Sequence, residues 1–112
     1  MKELLENVKE FMESGEDNLI KKRFNASASD FFKSIVILCD YLIYQEIKRL
    51  PKNHNDRFNL LKIYFGEIYI KVNLLFEIYI KSYNLRTNLK EVLALKNYSN
   101  ELKGIVKNKK RP

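Results

Sequence analysis

The sequence predicts an all-α fold, an up-and-down bundle of four to five antiparallel helices, and three observations carry that prediction. Apolar residues recur at steps of three and four along most of the chain. Glycine and proline, three and two residues of 112, are too scarce to punctuate many short strands. Candidate caps and breakers fall where the apolar stripes stop. A chain of this length forms one domain and buries roughly 65% of the surface its unfolded form exposes. The reading places the bundle at residues 1–106 and a basic C-terminal tail at 107–112.

Met1, Leu4, Leu5, Val8, Phe11 and Met12 share one face of a first helix, with Glu3, Glu6, Glu10 and Glu13 opposite. Ser14-Gly15 reads as its stop, because glycine best tolerates the left-handed conformation that closes a helix. A second helix is expected to open at Glu16 or Asp17, whose charges suit a helix N-terminus, and to run to about Leu50. Its first half carries Ala26, Ser27, Ala28 and Ser29, where another helix can approach closely. Its second half is apolar nearly all round, from Phe31 and Phe32 through Leu38 and Tyr41 to Ile47, the pattern of a central helix packed on several sides.

Pro51 is the expected terminator, since proline disfavours helical geometry in the residue before it. Asn53 or Asn55 can cap a third helix, whose Leu60, Leu61, Tyr64 and Phe65 lead to Gly66. A fourth, over about 67–83, repeats Ile68, Val72, Leu75 and Tyr79, with Leu74 and Ile78 beside them. Residues 84–88 read as a turn. Asn88 and Glu91, three positions apart, make a capping pair for a last helix with the stripe Val92, Leu95, Tyr98, Leu102, Ile105 and Val106, which Leu89 and Leu93 join.

Charge is unevenly spread. Residues 1–17 hold six acids and two lysines, a balance of −4, which leaves +11 for the remaining 95 residues of a chain whose net charge is +7. Such asymmetry is one mark of a nucleic-acid surface. The clusters that can form one are Lys21, Lys22 and Arg23, and in the tail Lys107, Lys109, Lys110 and Arg111; a solvated face and a frayed end are the plainer readings of the two. The acidic, amphipathic N-terminus has no signal-peptide pattern. The strongest apolar stretch, residues 35–44, already contains Asp40 and is far short of a bilayer span, so the expectation is a cytoplasmic protein without a membrane partner.

Few residues offer chemistry. Three glycines, at 15, 66 and 104, cannot make a phosphate-cradling loop. One histidine and one cysteine cannot build a usual zinc site, and His54 has no glutamate three residues before it, so neither metal nor cofactor is expected. Cys39, inside an apolar run, reads as a buried small hydrophobe. Asp40 is the odd residue of that run. If buried it needs a partner, either a hydrogen bond from Tyr44 one turn on or a base from another helix, and it can instead share in a polar binding groove. The seven tyrosines and seven phenylalanines lie among Ile and Leu, as core residues do, more than among bases, as stacking platforms do. That leaves Arg49 and His54, with four residues between them: an arginine to steady a phosphate and a group titrating near neutrality to move a proton, or two residues of one loop.

Taken together, an amphipathic helix followed by Glu13-Ser14-Gly15-Glu16-Asp17, then the run Phe24-Asn25-Ala26-Ser27-Ala28-Ser29-Asp30-Phe31-Phe32, then an apolar helix entering Leu50-Pro51-Lys52-Asn53-His54 and Arg57-Phe58-Asn59-Leu60-Leu61, resembles the HEPN superfamily over most of residues 1–106. The resemblance implies a four- or five-helix bundle, often homodimeric. Some members are metal-independent ribonucleases, including toxins of toxin–antitoxin pairs; others are non-catalytic partners of small nucleotidyltransferases, or binding modules. The ribonucleases carry an arginine, four to six residues and a histidine, brought together at a dimer cleft, and Arg49 and His54 match that spacing. Here, however, Leu50 stands where a polar residue is usual, Pro51 interrupts the motif, and Arg86 in the later region has no histidine after it. The resemblance therefore implies a non-catalytic, homodimeric module that partners a nucleotidyltransferase or another toxin–antitoxin component, or that binds nucleotide or RNA, with Asp40, Tyr44 and Arg57 as binding candidates. A ribonuclease using Arg49 and His54 is the alternative, and a purely structural oligomerisation protein the further one.

Overall fold

The structure, a computed structural model, describes residues 1–109. It consists of five helices in the order α1 (Lys2–Ile20), α2 (Phe24–Ile47), α3 (His54–Tyr64), α4 (Gly66–Lys81) and α5 (Leu89–Lys109), and no strand occurs among the described residues. The bundle measures 38 × 24 × 21 Å. As its composition demands, α2 is the central element. Phe31, Phe32, Ile35, Leu38, Leu42 and Ile43 are all fully buried, and α1, α3, α4 and α5 all pack on this helix. No helix is long and apolar enough to cross a membrane.

The first helix boundary differs from the sequence expectation. Gly15 does not close α1; it lies in the helix interior and is buried. A Cβ there would stand 2.9 Å from Cε1 and Cζ of Phe31, so the missing side chain is what lets α1 seat on the ring of α2. The same crossing is tied by the Ser27 hydroxyl, which donates to the Gly15 carbonyl at 2.8 Å, and by Ser14 and Asn18, which donate to Oδ2 of Asp30 at 2.7 and 2.9 Å. Glu16 and Asp17 therefore belong to α1. The turn comes later, at Lys22, a lysine in the left-handed region with φ of 59°.

Helix α2 also ends before Pro51. Lys48 adopts φ of 61° and its N–H bonds back to the Tyr44 carbonyl at 2.8 Å, which closes the helix at Ile47. The later caps follow the sequence. Asn53 opens α3, its side chain accepting from the Asp56 N–H at 2.8 Å. Asn88 and Glu91 exchange bonds of 3.0 and 2.8 Å at the start of α5, and Lys81 of α4 grips the same Glu91 at 2.9 Å. Asn25 fastens the α4–α5 connection, donating to the Ser82 and Leu85 carbonyls and accepting from the Thr87 N–H, each at 2.8 Å. Helix α5 continues through Lys107 and Lys109, so the described part of the expected tail is helical; Lys110 and Arg111 lie outside the described residues.

Candidate functional site

Where α2 gives way to α3, the chain builds a polar relay. Arg57, one turn into α3, reaches across to α2 and takes both oxygens of Asp40, Nε to Oδ1 at 2.6 Å and Nη2 to Oδ2 at 3.0 Å. The two side chains are only 12% and 15% exposed. This is the base from another helix that an acid in an apolar run requires, and it leaves Tyr44 outside the pair. The remaining arginine nitrogen, Nη1, lies 2.8 Å from Nδ1 of His54. A guanidinium has no acceptor, so Nη1 donates and Nδ1 accepts; the neutral imidazole then carries its proton on Nε2.

His54 is also held sideways, with its ring centroid 6.3 Å from that of Phe58 and 6.0 Å from that of Phe76. His54 and Arg57 of the relay line an open cleft of about 420 Å³, together with Asn53 and with Lys33 of α2. Phe11 of α1, with Phe32, Val36 and Ile37 of α2 and Tyr79 of α4, supplies its apolar lining. Lys33 Nζ sits 5.4 Å from the centroid of Phe11, a cation–π contact, and no carboxylate is paired with it among the described residues. The hydroxyl of Tyr79 is hydrogen-bonded to that of Tyr83 at 2.6 Å, and this bond chiefly pushes its phenol up to about 12. Tyr79 is thus a neutral wall at ordinary pH.

The other residues singled out from the sequence lie elsewhere. Arg49 turns to Asp56, Nη1 to Oδ2 at 2.9 Å, and the same carboxylate accepts from the Lys52 N–H at 2.8 Å. The arginine's hydrogen bond first, and that N–H second, hold Asp56 below the usual carboxylate range. Arg49 thus fastens the loop around Pro51, while His54 is held by Arg57; no contact joins Arg49 to His54 among the described residues. Cys39 is fully buried, and burial, with the charge of Asp40 second, drives its thiol far above its ordinary range, where it has no nucleophilic use. Among the described residues, no group of three or more histidine, cysteine or acidic side chains is placed to hold a metal.

Among the described residues, Lys107 does not join the cluster at Lys21, Lys22 and Arg23. Lys107 lines a groove with Leu5 and Val8, near the start of α1, whereas Lys21, Lys22 and Arg23 follow its end. With Lys96 paired to Glu16 at 2.8 Å, α5 runs antiparallel to α1, so Lys107, beside Leu5 and Val8, stands roughly 20–24 Å along that helix from Lys21. Sequence reasoning missed Lys33, Phe11, Phe32 and Tyr79 as lining residues. Lys33 had a signal, being the one base between Phe24 and Ile47; Phe11 and Tyr79 had none, because only the packing of α1 and α4 on α2 brings them there. Comparison with family models, curated proteins and solved structures returned no match to this chain.

Proposed function

We propose that this chain is a HEPN-like binding module without ribonuclease activity, which holds a nucleotide unit, free or at the end of an RNA, in the cleft beside His54. The observation that carries the reading is the composition of that cleft. Its lining offers Lys33, His54 and Asn53 to a phosphate and the partly exposed ring of Phe11 to a base. A volume of about 420 Å³ suits one nucleotide unit and not a folded RNA. The nuclease alternative finds less support, because Arg49 is spent on Asp56 and Nδ1 of His54 on Arg57. The homodimer and the nucleotidyltransferase or toxin–antitoxin partner that the resemblance implies belong to the same proposal.

Calorimetric titration with adenosine and guanosine monophosphates and with a short single-stranded RNA, in chelator, tests it. Binding that weakens about tenfold in Lys33→Ala, with no RNA cleavage, is expected. Failure of the wild-type protein to bind any of the three, or RNA cleavage abolished by His54→Ala and by Arg49→Ala, refutes it.

A further inference from the structure

Helix α4 is anchored along one face only, by the buried Val72 and Leu75 with Ile68, Phe76, Ile78 and Tyr79 partly buried around them. Its outer face is apolar where solvent is expected. Ile70 and Leu74, one turn apart, are 62% and 59% exposed; Ile80 near its end is 45% exposed, and Ile63 at the end of α3 is 70% exposed. Ile70 and Leu74 share one stripe of the helix, whereas Ile80 stands about 120° round it from Leu74 and Ile63 belongs to α3.

The charges along this helix have a symmetry of their own. Residues 67–71 and 77–81 both read Glu-Ile-Tyr-Ile-Lys. Each copy starts with an acid and ends with a base, so laying one against the other in reverse sets unlike charges level. Glu67 and Lys81 are equidistant from Leu74, and so are Lys71 and Glu77.

We propose that this face pairs with a second copy of the chain, α4 against α4 antiparallel, about a two-fold axis beside Leu74. Leu74 then meets Leu74, and Ile70 of one copy falls over the surface depression that Asn73, Glu77, Ile80 and Lys81 line on the other. Glu67 comes within reach of the second copy's Lys81. That lysine already donates to both oxygens of Glu91 at 2.9 Å, but an ammonium has a third donor, and its side chain remains 36% exposed. A two-fold interface needs one patch that complements itself, which an unlike partner does not. The repeat supplies that self-complementarity, and pairing requires no ligand in the cleft.

Sedimentation equilibrium from low to high micromolar concentration, at low salt, tests the pairing. The wild-type chain is expected to dimerise. Leu74→Glu, at an exposed position, is expected to be monomeric with unchanged far-UV circular dichroism. Glu67→Lys and Lys81→Glu each place like charges at both ends of the seam and are expected to weaken self-association about tenfold, while an equimolar mixture of the two regains wild-type affinity as a heterodimer. A wild-type monomer throughout, a dimer that survives Leu74→Glu, or a mixture no tighter than its components overturns the proposal.

Discussion

Replacing Asp40 by asparagine keeps the shape of the side chain and removes its charge, leaving the Arg57 guanidinium without its carboxylate at 12% exposure. Breaking a fully buried ion pair from one side costs about 3–5 kcal/mol, because the surviving charge is desolvated and unpaid. Here both side chains keep a margin of solvent contact, so the expected cost is at the lower end, ~2–3 kcal/mol. Arg57→Met, which strands the carboxylate and also frees Nδ1 of His54, is expected to cost about the same. The double variant Asp40→Asn/Arg57→Met strands neither charge, and its stability is expected to lie no lower than that of either single variant. For 112 residues the unfolding entropy is roughly 0.24 kcal/mol/K, so each single variant should melt ~8–12 °C below the wild type. Urea titrations followed by far-UV circular dichroism, with unchanged slopes, give the three free energies. Single losses under about 0.5 kcal/mol, or a double loss equal to the sum of the singles, would refute the view that each residue is needed because the other is there.

Two further outcomes follow from particular contacts. Gly15→Ala removes a residue that costs a helix interior about 1 kcal/mol, yet it drives a Cβ to 2.9 Å from the fully buried Phe31 ring. The expected net is a loss of ~1–2 kcal/mol, partly recovered by Phe31→Leu in the same chain, and a rise in melting temperature for Gly15→Ala would contradict the packing argument. Glu91 is held below its ordinary value of 4.5 by Lys81 first and by the Asn88 N–H second, and Asp56 below 3.8 by Arg49 and the Lys52 N–H. Because both folded values are depressed, their stabilisation is present above those ordinary values and is lost as pH falls through the lower folded ones. The urea midpoint should therefore drop on acidification below about pH 4.5, less steeply in Glu91→Gln, whereas a midpoint unchanged down to pH 3 would contradict it.

The legible parts of this fold are those in which one short signal has one use. Asn53 and Asn88 are caps in the sequence and caps in the structure, and the apolar run of α2 announces a central helix. Gly15 shows the opposite case. Glycine serves equally to end a helix and to let another helix approach, and the choice is made by Phe31, sixteen residues away on another element. The true turn was not legible because it places Lys22 at a positive φ that lysine rarely takes, held by backbone bonds from Lys21, Lys22 and Arg23 to the last carbonyls of α1. Leu89 and Leu93 belong to the apolar stripe of α5 in the sequence, yet both remain exposed, because α5 is narrower in contact than in composition. In the cleft, Asp40 signalled a partner without naming it, since several bases were equally available from sequence alone.

Arg49 and His54 illustrate why spacing in sequence becomes spacing in space only along one continuous element. On a helix, residues five apart lie on different faces, and residues three or four apart are neighbours. Between Arg49 and His54, however, the chain has already left α2 at Lys48, passed Pro51 and restarted at Asn53. The count of intervening residues thus carries no geometric meaning there. What does carry meaning is the first turn of α3, where His54 and Arg57 stand three apart and meet at 2.8 Å, while Asp56 between them points back to Arg49. The arginine that governs His54 is therefore the one after it: Asp40 fixes Arg57, and Arg57 fixes the imidazole that lines the cleft with Lys33.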